Sequence, residues 1–413
     1  MKLRLLLPAA VVLTALSGSA FGYSVLTHQA IVDAAWEDSI RTLLLRRYPG
    51  LGAEQLREAH AYAYGGCLIQ DMGYYPMGRR FFTDLVHYVR SGDFVVAMLR
   101  EARDANEYAF ALGALAHYAS DNTGHPGINR SVAVVYPKLR ARYGPEVTYA
   151  QKPSAHLKVE FGFDVLQVAR GSYASDAYHD FIGFEVSKPL LERAFKTTYA
   201  VELDELFAGL DTALGTYRFA AGSLIPQMTK VAWAAKKDEI ERVSPGASRE
   251  KFLFRYSRRD YERKWGTKYE RPGPFARLLA FLFRVLPKIG PLRGLAFHVP
   301  PAEAERLFAE GFNQTVERYR ALLEAERRGS LRLPNTDFDT GKPTRPGEYP
   351  LADTSYARLV EQLAKRNFAD MSPELRADIL SFFRDTNTVV EVKKDRKKWQ
   401  KTVQALEQLK SVR

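Results

Sequence analysis

Six of the eight histidines of this 413-residue chain fall between positions 28 and 156. The tightest run reads His117-Tyr-Ala-Ser-Asp121-Asn-Thr-Gly-His125. Its three potential ligands recur every four residues, so on a helix they share one face. His156 and Glu160 repeat the four-residue step, and His28, Asp71 and His87 add three more donors. Imidazole nitrogen with carboxylate oxygen is a donor set that suits a borderline divalent metal such as zinc. A zinc ion with an open coordination position lowers the pKa of its water towards neutrality and polarises a phosphoryl or carbonyl oxygen. Several ions in one cleft can hold both sides of a displacement at phosphorus. Metal-assisted hydrolysis is the chemistry to expect. No Gly-x-Ser-x-Gly step occurs in the chain, so nothing supports a serine hydrolase.

The elements that must carry these donors read as helices. Glu101 to His117 is rich in Ala, Leu, Glu and Tyr, holds no proline, and runs directly into the His/Asp face. Leu157 to Val168 and Tyr199 to Tyr217 repeat apolar residues at steps of three and four. Gly65-Gly66, Tyr75-Pro-Met-Gly78, Ser91-Gly-Asp93 and Lys152-Pro153 mark loops between helices. No alternation of strand type is long enough to build a sheet, so the fold class expected is all-α, a multi-helix domain.

Four regions follow from the patterning. Residues 1–22 read as a secretory signal: Lys2 and Arg4 are the charged start, Leu5 to Leu16 the apolar stretch, and Gly18 to Gly22 a run of mostly small residues. That stretch is shorter than the roughly 20 apolar residues of a membrane span. The only cysteine is Cys67, which leaves no lipid-anchor cysteine at the cleavage point and no intramolecular disulfide. A secreted or periplasmic protein is expected. Residues 23–235 form the catalytic domain, 236–345 a Pro/Gly-containing basic segment, and 346–413 a C-terminal helical region with a helix start at Ser372-Pro-Glu-Leu. Of the formal net charge of +12, most sits between Arg249 and Arg293, where thirteen Lys or Arg face four Asp or Glu. Charge so localised points to an anionic partner, either acidic lipid or nucleic acid. Within it, Phe275, Leu278, Leu279, Leu282 and Leu286 share a helical face, as in an interfacial amphipathic helix or one packed on the main domain.

The opening Tyr23-Ser-Val-Leu-Thr-His28-Gln-Ala-Ile, followed by this series of donors, resembles the zinc-dependent phospholipases C. More distantly it resembles the zinc nucleases that cut single-stranded nucleic acid. The resemblance covers about residues 23 to 220. It implies three zinc ions. Asp71, His87, His117 and Asp121 would hold the first, and His125, His156 and Glu160 the second. The α-amino group and carbonyl of Tyr23, with His28 and a bridging Asp121, would hold the third. It further implies that metal-activated water attacks phosphorus, with Asp71 as the base or as the group that orients that water. The chain departs from the family in the short step from Asp121 to His125 and in a tyrosine where tryptophan is usual. The step from Tyr23 to His28 is closer to the nucleases, and Glu160 is closer to the phospholipases.

The function expected is therefore an exported zinc-dependent phosphodiesterase of phospholipase C type, with a phospholipid substrate or membrane surface as its partner. A zinc-dependent single-strand nuclease is one alternative, and a non-catalytic zinc-stabilised envelope binding protein is another. No feature identifies a stable protein partner. Tyr74, Tyr75, Phe81 and Phe82 are expected in the core, with a choline cage as the alternative use of such rings. Asp84, three residues before His87, is either a surface carboxylate or a partner that orients an imidazole. His60, His179 and His298 read as structural, and Cys67 as a small buried residue.

Overall fold

The computed structural model describes residues 25–169, 172–173, 182–226, 229, 297–385 and 391–411. The expected signal, Tyr23, His179 and the basic segment 249–293 with its Phe275–Leu286 helix lie outside them. The described fold is all-α. Among the described residues the one β feature is an isolated antiparallel bridge between Thr336 and Pro343. No described helix is long and apolar enough to cross a membrane.

The helices that build the site are α1 (Val25–Ala35), α2 (Ala53–Gly66), α3 (Arg80–Tyr88), α4 (Ser91–Glu101), α5 (Ala105–Val135), α6 (Pro153–Ala169), α7 (Lys188–Tyr199), α8 (Ala302–Arg327) and α9 (Pro350–Ala364). The central one is α5. It does not run on from Glu101, because Ala102 to Asp104 separate it from α4. Asp104 instead starts it: its side chain accepts from the Glu107 amide at 2.8 Å, and Glu107 reaches back to the Arg103 amide at 2.8 Å. These reciprocal bonds satisfy donors that a helix start otherwise leaves open. From Glu107 onward α5 is buried on nearly every side, as befits a helix packed all round by others.

Two glycine sites let other helices approach α5. Gly65 and Gly66 are the last turn of α2 and not a loop. A Cβ on Gly66 would lie 1.9 Å from the Phe110 carbonyl, and one on Gly113 would lie 2.1 Å from the Ala63 carbonyl. Only the missing side chains allow that crossing, which sets Cys67 beside His117. Helix α8 also lies along α5, with Phe163 of α6 stacked on Phe308 at 4.2 Å and Tyr319 donating to the Leu112 carbonyl at 2.8 Å.

Pro126 sits inside α5 without ending it. A proline donates no amide hydrogen, so the carbonyl four residues back loses its helical partner. That carbonyl belongs to Asn122, and Gly341 packs so close that a Cβ there would be 2.3 Å from it. The helix nonetheless stays whole through Asp121 and His125, and a segment from far along the chain packs against it there. This segment, residues 331–349, is called the strap below. The run read as one periodic stretch over Tyr199–Tyr217 is broken into Leu203–Leu206 and Leu210–Phe219 after a left-handed Ala200 at φ 55°. Ser372 caps Pro373–Phe382 by accepting from the Leu375 amide at 3.1 Å. One buried apolar core runs from Val25 to Leu409, so residues on both sides of position 235 share it.

Candidate metal centre

The His/Asp face of α5 points at α1, α3, α6 and the 3₁₀ turn Ile69–Tyr74. His117, Asp121 and His125 come from α5, His28 from α1, Asp71 from the 3₁₀ turn, His87 from α3, and His156 and Glu160 from α6. All eight are buried. Tyr23 is outside the described residues. His117 Nε2 is 3.1 Å from Asp121 Oδ2, and His87 Nε2 is 3.3 Å from Asp71 Oδ1, 3.5 Å from Asp121 Oδ2 and 3.5 Å from His117 Nε2. Asp121 Oδ1 faces the other way, 3.6 Å from both His28 Nε2 and His125 Nε2. His125 Nε2 continues to Glu160 Oε1 at 3.6 Å, and His156 Nδ1 meets that oxygen at 3.0 Å. His28 stacks on His117 with ring centres 4.6 Å apart.

These spacings fit metal ions better than ion pairs. Four donors about 2.0–2.1 Å from a tetrahedral zinc lie roughly 3.3 Å from one another. A charged N–H···O bond would draw the atoms to about 2.7–2.9 Å. Asp71, His87, His117 and Asp121 stand at tetrahedral spacing on each of the four edges just given. Asp71, His87 and His117 bring ligand atoms within 4.8 Å of one another, as do His28, His117 and Asp121. Moreover, both oxygens of Asp121, both of Glu160 and Oδ1 of Asp71 accept no well-formed hydrogen bond despite being buried. Ionised oxygens in that state need a cation, or else take up a proton.

The imidazoles are oriented from behind. His87 Nδ1 donates to the Thr83 carbonyl at 3.0 Å, His117 Nδ1 to the Cys67 carbonyl at 3.0 Å, and His125 Nδ1 to the Phe338 carbonyl at 3.1 Å. A carbonyl only accepts, so in the neutral ring the hydrogen sits on Nδ1 and the Nε2 lone pair faces the cluster. His156 is turned round: its Nε2 donates to Asn129 Oδ1 at 2.9 Å, leaving Nδ1 inward. Asn129 is held in that sense because its amide nitrogen donates to the Asp339 carbonyl at 2.8 Å.

Without ions the cluster gathers protons. Burial lowers the pKa of His87, but Asp121 and Asp71 outweigh it and raise it to about 10. Burial likewise opposes, and Asp121, Asp339 and Glu160 prevail, in raising His125 to about 10. Burial would push the Asp121 carboxyl up, yet His117 and His125 hold it well below its ordinary value. Burial drives His156 down to about 3, His28 well below its usual value, and Glu160 well above its own. Protons on two rings thus stand where divalent charge would offset the carboxylates, and metal binding would release them.

Sequence reasoning missed four supporting residues. Asn129 extends the 117–121–125 series by one more step of four, and Asp164 does the same after His156 and Glu160. Asp164 accepts from the Leu26 amide at 2.9 Å, the Thr27 amide at 3.1 Å and Thr27 Oγ1 at 2.8 Å, which docks the first turn of α1 on α6. Phe338 and Asp339 come from the strap, which carries no periodic signal. Phe338 packs on His87 and His117 at 5.0 and 5.9 Å between ring centres. Asp339 Oδ1 lies 3.5 Å from His125 Nδ1, while Oδ2 accepts from Tyr88 at 2.8 Å and from Tyr349.

The plainer residues divide. Tyr75 packs on Tyr217, and Phe82 on Phe195, both in the core. Tyr74 lies beside the centre, 6.3 Å from the His87 ring. Asp84 does not orient His87, whose Nδ1 goes to Thr83; it faces Arg358 at 3.7 Å. His60 is buried against Asp33 at 2.9 Å and stacked on Trp36, and His298 meets the edge of Tyr136.

Comparison with known families finds one described as zinc dependent phospholipase C, whose sequence profile matches residues 27–209. No curated protein and no solved structure matches the chain. The matched stretch holds every donor from His28 to Glu160 and ends before α8 and the strap. Residues 27–209 of this chain are therefore similar to the zinc-dependent phospholipase C family, and it is this stretch that carries the candidate ligands.

Proposed function

We propose that the chain is an exported zinc-dependent phosphodiesterase that cleaves phospholipids, releasing diacylglycerol and a phosphorylated headgroup. The observation that carries this reading is the tetrahedral spacing of Asp71, His87, His117 and Asp121 around buried, unsatisfied carboxylate oxygens. His125, His156 and Glu160 would hold a second ion, and Tyr23, His28 and the second oxygen of Asp121 a third. Bound zinc supplies Lewis acidity at a phosphoryl oxygen and an acidic water. The protein supplies position and proton handling. Asp71 is the proposed base, a carboxylate with one oxygen that accepts no well-formed hydrogen bond. The carbonyls of Thr83, Cys67 and Phe338 keep three imidazoles aimed inward, so little reorganisation accompanies charge build-up on the substrate.

In this reading residues 1–22 are removed, and the basic stretch from Arg249 to Arg293 steers the enzyme to acidic lipid. The test is metal content and lipid cleavage on the untagged chain that begins at Tyr23. Three zinc ions per chain, diacylglycerol release and its loss on chelation are expected, with Asp71→Asn inactive but folded. A protein that holds zinc yet turns over no phosphodiester would overturn the enzymatic reading, and single-stranded DNA cleavage in place of lipid turnover would overturn the choice of substrate.

A further inference from the structure

We propose that Arg80, Tyr74 and Tyr149 form a subsite at the rim of the metal centre that takes an anionic group on the substrate headgroup and disfavours a quaternary ammonium. The proposal rests on the phospholipase reading above. Arg80 opens α3 seven residues before His87, which places it two turns away on the same face, about 10 Å along the axis. Its guanidinium donates to the Tyr149 hydroxyl at 2.8 Å and lies 5.8 Å from the Tyr74 ring centre and 5.9 Å from that of Tyr149. The two rings are 6.0 Å apart. Tyr74 stands edge-on to His87 at 6.3 Å, and Tyr149 edge-on to His156 at 5.9 Å. The pair therefore walls the centre beside ligand candidates for two different ions.

Two features decide the charge of the ligand. First, the aromatic faces that could cage a choline are already occupied by the guanidinium, and a second cation there would meet like charge. Second, Arg80 makes no ion pair among the described residues. Asp84, one turn further along α3, lies at 3.7 Å from Arg358; it acts on Arg80 through its charge but not at ion-pair distance. Of the five N–H donors of Arg80, one is used among the described residues, and the residue is exposed while its guanidinium is partly covered by the two rings. A guanidinium held by one hydrogen bond and two cation–π contacts, with open donors in a planar fork, matches a carboxylate or a phosphate. A serine headgroup would present the first, and a headgroup with a second phosphate the other.

The experiment compares Arg80→Met and Arg80→Lys with the native protein on phosphatidylserine, diphosphatidylglycerol and phosphatidylcholine, each dilute in neutral-detergent micelles so that surface charge is small. Zinc content of each variant is measured alongside. Native enzyme should prefer the two anionic-headgroup lipids. Arg80→Met should lose about tenfold or more in kcat/KM on them, in line with a charge-assisted hydrogen bond, while phosphatidylcholine changes by less than about twofold; Arg80→Lys should keep part of the activity. Calorimetry with phosphoserine and phosphocholine on the zinc-loaded protein should show the first weakened by Arg80→Met and the second unchanged. Equal losses on all lipids, or none, would overturn the subsite. If the native protein cleaves none of the lipids, the phospholipase reading fails, and phosphoserine binding alone decides for or against the subsite.

Discussion

Asp339→Asn isolates what the strap does for the metal centre. The native carboxylate is buried; it faces His125 Nδ1 at 3.5 Å and accepts from the hydroxyls of Tyr88 and Tyr349. Asparagine keeps the volume and one oxygen for those hydroxyls but removes the charge behind the imidazole. Loss of a carboxylate behind a ligating histidine typically costs 10–100-fold in metal affinity, which is about 1.4–2.8 kcal/mol. The Phe338 carbonyl stays in place at 3.1 Å and still orients the ring, so the effect belongs at the lower end, about tenfold on one ion. Asp339→Ala should add a stability loss of about 1–3 kcal/mol for each tyrosine hydroxyl left unpaired. Zinc titration against a chelator of known affinity, with thermal melting of the metal-free and loaded forms, separates the two effects. Unchanged affinity for all ions in Asp339→Asn would refute the role of the strap behind His125. A drop in melting temperature with unchanged affinity would reduce Asp339 to a structural residue.

Three further outcomes are expected. Gly113→Ala, whose Cβ would lie 2.1 Å from the Ala63 carbonyl, should push α2 away from α5 and cost about 3 kcal/mol, the upper end for overpacking, read as a clear fall in melting temperature. Asp164→Ala should cost about 1–2 kcal/mol, the cost of a lost helix cap; it should also lower zinc content by the ion assigned to His28, which metal analysis would detect. Asp337 has its pKa raised to about 7, first by burial and then by Asp339, against the opposing bonds from Thr340. A raised carboxyl stabilises the fold below its unfolded pKa, and that contribution is lost as pH climbs to about 7. The melting temperature of Asp337→Asn minus that of the native protein should therefore rise between about pH 4 and pH 7, and a flat difference would refute the assignment.

Much of the centre could be read from spacing alone, because a step of four on a helix is a statement about geometry. The 117–121–125 series lies on one face of α5, and Pro126 does not interrupt it. The same rule would have reached Asn129 and Asp164, which continue the two series by one step each. Asp339 was out of reach: it sits in a polar loop more than two hundred positions from His125. It is brought there by long-range contacts such as Asn129 to its carbonyl, Thr336 to Asn122 and the close approach of Gly341 to the Asn122 carbonyl. Gly65-Gly66 was misread for a different reason. Glycine pairs signal turns, but they also permit helices to touch backbone to backbone, and local sequence does not distinguish the two uses. The break at Ala102–Asp104 was hidden by an apolar run on either side of it, although Asp104 followed by Glu107 is itself a start signal. The step at Ala200 carries no glycine to announce a left-handed residue.

Cys67 lies at the crossing of α2 and α5, its carbonyl bonded to His117 and its thiol donating to the Tyr64 carbonyl at 3.2 Å. Burial pushes that thiol well above its ordinary pKa, and it is the only one in the chain. With its single thiol buried and kept protonated, the chain has no intramolecular disulfide to reduce and offers no exposed thiolate to oxidants. It also carries a built-in clock. A thiol reagent can reach Cys67 only when the two helices part, so its labelling rate measures how often the centre of the molecule opens. If a chelator quickens that clock, the ions are clamps on the helix crossing as well as reagents.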